Sequence, residues 1–204
     1  IQTATGICEI QQLLSDQPRY VPTLMADKTS AYAVFSAILA ALVNRERGGG
    51  GQAVEVPMYE TMVDFVMVEH LYGATFDPPI AQMGYERLMN IERRPYKTGD
   101  GVYLTVLPYT DKNWSDFFKL SGRIELIDDP VFQSHANRLN NSKKVYSVLA
   151  QIIETRSLAN WIRDLDANNI PVMAVQTKED LIRDKQLNAT GFWHAVEHPT
   201  EGKL

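Results

Sequence analysis

Four groups of residues have types and spacings that could support chemistry. Gly48, Gly49, Gly50 and Gly51 form a glycine run, and glycine-rich turns elsewhere let backbone N–H groups cradle phosphates. The order here is wrong for that task. Phosphate loops follow a strand and open a helix, whereas this run follows a helical pattern, leads to a β-branched stretch, and has no Lys-Ser or Lys-Thr after it. It reads as a tight turn at a helix end, where glycine accepts positive φ.

His194 and His198 lie four apart, and His70 stands next to Glu69. Zinc needs a third protein ligand at a recognisable spacing, and none is visible, so no metal is expected. Glu60, Asp64 and Glu69 place carboxylates on one helical stretch, and Asp27 precedes another. With no partner in view to shift a pKa, each reads as a solvated face or a helix cap. Cys8 lacks a nearby histidine pair and reads as a small packed side chain. Trp114, Phe117 and Phe118, and Trp161 with Leu158 and Leu165, have the spacing of core stripes.

The elements that must position these groups follow from periodicity. Thr29 to Arg47 reads as a helix in which Val34, Phe35, Ile38, Leu39, Leu42 and Val43 form a buried stripe, and Ala33, Ala37, Ala40 and Ala41 allow close packing. A short strand at Ala53–Val56 and a helix from Met58 to Tyr72 follow, an order that suggests an α/β layer. Asp77-Pro78-Pro79 breaks the pattern and opens an aperiodic stretch to Arg94, where a first domain ends.

Beyond it, Gly99-Asp100-Gly101 joins Arg94–Lys97 to Val102–Val106 as a hairpin. Helices are expected at Asp111–Leu120, Ser142–Ile153 and Ser157–Ala167, with Ser142 and Thr155 as hydroxyl caps. Ile170–Val175 then reads as a strand, Lys178–Arg183 as a short helix and Phe192–Val196 as another strand. The expected division is residues 1–78 in a large domain, 79–94 as linker, 95–190 as a small α+β domain, and 191–204 as a segment returning toward the large one.

Composition narrows the classes. The 204 residues are 45% hydrophobic and 22% charged, with a formal charge of −5 and scattered Lys and Arg. That profile argues against a nucleic-acid footprint, which needs clustered cations. With Asn44, Arg45, Glu46 and Arg47 ending the longest apolar run, no run is expected to reach the ~18–20 residues of a membrane span. A single cysteine and no signal-like start point to a reducing cytoplasm. Ile1 at the start and Glu201-Gly202-Lys203-Leu204 at the end read as cut ends.

Taken in order, the chain resembles the class III coenzyme A transferases. The resemblance is carried by Arg45-Glu46-Arg47-Gly48-Gly49-Gly50-Gly51-Gln52 before a strand and a Glu60-bearing helix, and by Asp27 before the Ala-rich helix. Arg94-Pro95-Tyr96-Lys97-Thr98 with Asp100-Gly101, Trp114 after Asp111, and Asp129-Pro130 with Phe132 continue it. Arg138 before Asn140, Arg156 before Trp161, and Val172, Leu187 and Gly191 complete the series.

The resemblance implies an α/β fold: part of a Rossmann-like large domain followed by a smaller α+β domain, within a protein about twice this length. It implies CoA transfer from an acyl-CoA to a carboxylic acid, with the CoA thioester as substrate and no tightly bound cofactor, in an interlocked homodimer. The attacking aspartate is placed a few residues before Ile1, so no catalytic residue is assigned within the chain and the isolated chain is expected to be inactive. A substrate loop falls near Gln82–Arg93, which assigns Gly84, Tyr85 and Arg87 to substrate binding. A related branch racemises 2-methylacyl-CoA thioesters and carries a glutamate where Lys97 stands. A non-catalytic dimerisation or scaffold module is the alternative from another class.

Overall fold

In the computed structural model, which describes residues 1–204, the chain is a mixed helix and strand fold that divides into two compact units, Ile1–Arg93 and Arg94–Leu204. The first unit is helical. Helices α1 (Ile7–Ser15), α2 (Met25–Asn44) and α3 (Met58–Leu71) meet around a small apolar cluster of Ile7, Ala26, Met62 and Val66. The glycine run closes α2 through a wider turn at Arg45–Gly49, with Gly48 at φ 90° and Gly50 at φ 74°. A Cβ on Gly49 would stand 2.4 Å from the Asn44 side-chain amide, which would have to move aside to admit it.

Two expectations fail in this unit for one reason. The α2 stripe is not buried: Phe35 is 61% exposed, and Val34, Ile38, Leu39, Leu42 and Val43 are exposed with it. Ala53–Val56 forms no strand, because a strand exists only where a neighbouring backbone pairs with it, and none lies beside it in this chain. By length and composition Met25–Gly49 would also suffice to cross a bilayer, contrary to the reading of the apolar run, although a core helix of a larger domain has the same profile.

The second unit carries its own core. Strands β1 (Tyr96–Lys97), β2 (Tyr103–Val106) and β3 (Val172–Ala174) form an antiparallel sheet in that order, with Tyr96 opposite Leu104 and Val106 opposite Val172. Helices α4 (Asp111–Ser121), α5 (His135–Asn140), α6 (Ser142–Ile153) and α7 (Leu158–Ala167) complete the core around Phe117, Phe118, Leu149, Ile153, Trp161 and Leu165. Trp114, Phe117, Phe118, Phe132 and Trp161 meet ring to ring, and Trp161 Nε1 donates to the Ile153 carbonyl at 2.8 Å. Truncating one such ring to Ala would cost about 3–5 kcal/mol. Two short helices, α8 (Lys178–Ile182) and α9 (Lys185–Ala189), lead to a small ribbon of β4 (Glu197–His198) and β5 (Gly202–Lys203). Phe192–Trp193 is an exposed edge-to-face pair rather than a strand, and pairing begins only at Val196, which exchanges both backbone bonds with Leu204.

The helix starts differ from the expected caps. Ser142 is the first residue of α6, whose N-cap Asn141 makes no side-chain cap bond, and the Thr155 hydroxyl donates to the Ile152 carbonyl. Thr110, Ser134, Thr177 and Asp184 are the side chains that cap. Helix α7 is capped from a distance: the Asp100 carboxylate at the hairpin tip accepts from the Leu158 N–H at 3.1 and 3.3 Å and from the Thr98 hydroxyl at 2.5 Å. Gly99 N–H donates to the Arg156 carbonyl at 2.9 Å, and a Cβ on Gly99 would meet Glu154 O at 2.9 Å. Arg156 in turn pairs with Asp164 and lies 4.5 Å above the Trp161 ring.

The Thr98 hydroxyl, then the Leu158 N–H, hold the Asp100 carboxyl below the usual carboxylate range, and Arg163 and Arg156 hold Asp164 down to about 2. A carboxyl whose pKa is depressed by folding stabilises the fold above the unfolded value of about 3.9 and loses that contribution as pH falls through the folded value. Asp100→Ala is therefore expected to lower the thermal midpoint at pH 7, with the gap from wild type narrowing below about pH 4. Thermal melts between pH 7 and 2 check this; a gap that widens with acid would contradict it.

Candidate functional site

The candidate site lies in the first unit, where the segment Ile1–Gly6 meets the start of α2 and the end of α3. The Gln2 side chain is bidentate on Val21: its Oε1 accepts from the Val21 N–H at 2.8 Å and its Nε2 donates to the Val21 carbonyl at 3.3 Å. This fixes the chain as it enters α2. Three residues beyond Val21, Leu24 takes the N-cap of α2 and supplies no side-chain acceptor. The Lys28 N–H closes on the Leu24 carbonyl at 3.0 Å and the Met25 N–H on Thr23 O at 2.8 Å. Asp27 is not a cap. It stands in the first turn, exposed, with its carboxylate in no hydrogen bond or ion pair. One turn on, the buried Ser30 hydroxyl has no hydrogen-bond partner.

At the other side of the same segment, His70 Nε2 is 3.0 Å from the Thr5 carbonyl. A carbonyl oxygen only accepts, so the ring carries its proton on Nε2. The His70 backbone carbonyl in turn accepts from the Gly84 N–H at 2.7 Å. Helix α3 then stops: Tyr72 takes φ 42°, a strained value for a residue with a side chain, and a single tight turn runs from Tyr72 to Thr75. The Tyr72 and Tyr85 rings stack at 4.9 Å and 22°.

The residues expected to bind substrate are thus placed on an ordered loop. Gly84 sits at φ 94°, with nothing within 4 Å of an added Cβ, so backbone conformation rather than crowding requires glycine. Tyr85 packs on Tyr72 and opens a turn in which Leu88 and Met89 donate to its carbonyl. Arg87 lies within that turn, half-buried. The structure brings Gly84 and Tyr85 to the end of α3 beside His70. Lys97 is elsewhere, exposed on β1 opposite Tyr103 in the second unit.

The other candidates disperse. His194 is exposed, and His198 Nδ1 accepts from the Thr200 and Glu201 N–H groups at 3.3 Å. Glu60 and Asp64 are exposed along α3, and Cys8 is buried. His70 is the residue whose importance the sequence understates: its partner Thr5 is 65 positions away, and only the neighbouring Gly6 hints at a close approach. A Cβ on Gly6 would stand 2.7 Å from His70 Nε2.

Residues 1–204 match the family model of CoA-transferase family III. The chain belongs to that family. The "Probable fatty acyl-CoA transferase Rv3272" of Mycobacterium tuberculosis is 26% identical over 176 residues, which cover 81% of this chain and 44% of the relative. The formyl-CoA:oxalate CoA-transferase of Streptomyces coelicolor is 27% identical over 198 residues, 88% of this chain and 48% of the relative. A crystal structure of the mycobacterial protein in its orthorhombic form superposes with a TM-score of 0.76 at 20% identity, over 99% of this chain and 54% of that one. A CAIB/BAIF family protein from Brucella suis gives 0.70 at 19% identity, over 100% and 56%. These structures share the fold, and the chain spans about half the length of the relatives it matches.

Gly73 tests how tightly the turn after α3 is set. It is buried, its carbonyl accepts from Ile80 N–H at 3.1 Å, and an added Cβ would stand 2.4 Å from Ala81 Cβ and 2.8 Å from the Ala81 backbone. Gly73→Ala is therefore expected to displace the 74–81 turn and raise its protease sensitivity. Cleavage at the wild-type rate would show that the turn yields without cost.

Proposed function

We propose that the full-length protein is an acyl-CoA:carboxylate CoA-transferase, of which this chain supplies part of a Rossmann-like large domain and a smaller α+β domain. The supporting observation is the match to the family across all 204 residues, together with Gly84 and Tyr85 set by hydrogen bonding and stacking at the end of α3. The relatives named as CoA-transferases act on different acids, so neither donor nor acceptor is carried over from them.

The chemistry is that of a carboxylate nucleophile. An aspartate oxygen attacks the thioester carbonyl carbon, the C–S bond breaks, and CoA leaves as a thiolate, giving a mixed anhydride. The thiolate then attacks the aspartyl carbonyl and releases the donor acid as a carboxylate, leaving an aspartyl-CoA thioester. An acceptor carboxylate attacks that thioester and frees the thiolate again. The thiolate finally attacks the acceptor's acyl carbon, giving the new acyl-CoA and restoring the aspartate.

The resemblance places this aspartate upstream of Ile1. A specific observation favours a second placement, at Asp27. Its carboxylate is exposed and unpaired, and it lies in the first turn of a 20-residue helix with no side-chain cap, beside a buried hydroxyl without a partner. The unsatisfied N–H groups of a helix N-terminus favour negative charge, and such donors stabilise an oxyanion as it forms. Hydroxylamine added to the full-length enzyme during turnover is expected to convert one aspartate to its hydroxamate. Peptide mapping then decides between Asp27 and an upstream residue, and turnover with no trapped hydroxamate would overturn the aspartyl mechanism.

The exposed faces of α2 and α3 belong to this reading. Tyr32, Phe35, Ile38 and Leu39, with Phe65 and Val68, would be covered by the rest of the large domain and a second copy in a cytoplasmic homodimer. The 204-residue chain alone is expected to self-associate, read by light scattering; a stable monomer at micromolar concentration would contradict it.

A further inference from the structure

We infer that His70 is a positioning residue that sets the Gly84–Arg87 loop against the Ile1–Gly6 segment, and so tunes substrate binding. The inference rests on the reading that this loop touches substrate. One residue makes both connections: its ring Nε2 donates to Thr5 O at 3.0 Å, and its backbone carbonyl accepts from Gly84 N–H at 2.7 Å. Segment and loop are therefore joined through a single peptide unit and its side chain.

Four further features fit this role. Gly6 takes φ 79° directly beneath the imidazole, where a Cβ would stand 2.7 Å from Nε2 and 3.2 Å from Cδ2, so the segment approaches the ring as closely as a side-chain-free residue allows. Thr5 is buried, and its own hydroxyl donates back to Ile1 O at 3.2 Å, which holds its peptide in place. Two residues past His70, Tyr72 takes up the loop through its stack on Tyr85. The Gln2 clamp on Val21 carries the same segment to the start of α2, so His70 also fixes the loop relative to the Asp27 turn.

The test uses the full-length enzyme with two readouts, steady-state kinetics and amide exchange of peptides covering residues 1–6 and 83–88. His70→Ala is expected to raise the KM for acyl-CoA about five- to tenfold with a smaller change in kcat, the scale of one lost hydrogen bond, and to speed exchange in both peptides. His70→Gln, whose amide reaches as far as Nε2, should restore most of both; His70→Asn, whose amide is shorter, should not. Gly6→Ala should reproduce the effect of His70→Ala, and the double variant should lose less than the two single losses combined.

Unchanged exchange at 83–88 in His70→Ala, or equal rises from the Gln and Asn variants, would overturn the inference. Faster exchange with no change in KM would overturn the binding role. A wild-type enzyme that transfers no CoA would refute the proposed function instead, and exchange would still decide whether His70 joins segment and loop.

Discussion

The first unit has too little core to hold itself. Its buried apolar cluster is Ile7, Ala26, Met62 and Val66, while α2 turns Tyr32, Phe35, Ile38, Leu39, Leu42 and Val43 outward. Hydrophobic burial is the largest favourable contribution to folding, so a segment of this length with so small a cluster needs another surface against it. Within the chain, geometry near the site depends instead on specific polar contacts: Gln2 on Val21, His70 on Thr5 and Gly84 on His70. Such bonds stabilise modestly but fix direction closely.

The second unit is built the opposite way. Its aromatic rings interlock, and two arginines are fitted into that packing. Arg138, 6% exposed, donates to Phe132 O at 2.7 Å and to Asp111 at 2.5 Å while lying 5.6 Å from the Trp114 ring. Arg156 joins Leu120 O, Asp164 and the Trp161 face. A buried guanidinium without partners would be strongly unfavourable, so Arg138 must be satisfied by the same elements whose packing buries it, while Arg156 is half-buried beside its partners. This unit forms a self-sufficient core, and the first unit forms a surface awaiting cover.

That contrast explains what could be read from the sequence. Helix α6 runs from Ser142 to Ile153 as its periodicity predicts, and the Asp100-Gly101 pair does mark the β1–β2 hairpin, because both signals are local and their burial is completed within the chain. Helix α2 is instead apolar nearly all round, and such a pattern reports what a helix is able to bury and not what is present to bury it. Ala53–Val56 fails for the same reason, since β-branched residues favour a strand only when a neighbour pairs with them. The cap of α7 was not legible at all. Ser157 precedes that helix with a hydroxyl, but the acceptor is Asp100, 58 positions away.

The candidate site shows the same limit at closer range. Gly84 is legible as a glycine of the Gln82–Arg93 loop, and in the fold it takes φ 94°. Its anchor is not, because His70 reads as an ordinary helix histidine until Thr5 and Gly6 are seen beneath its ring. Asp27 is the sharper case. From sequence it resembles a helix cap, but in the fold Leu24 occupies the cap and leaves Asp27 as the third helical residue, unpaired, on a turn whose N–H groups have no side-chain acceptor. A capping carboxylate would spend its oxygens on those N–H groups. One held inside the first turn keeps its oxygens free, and leaves those N–H groups without a side-chain acceptor.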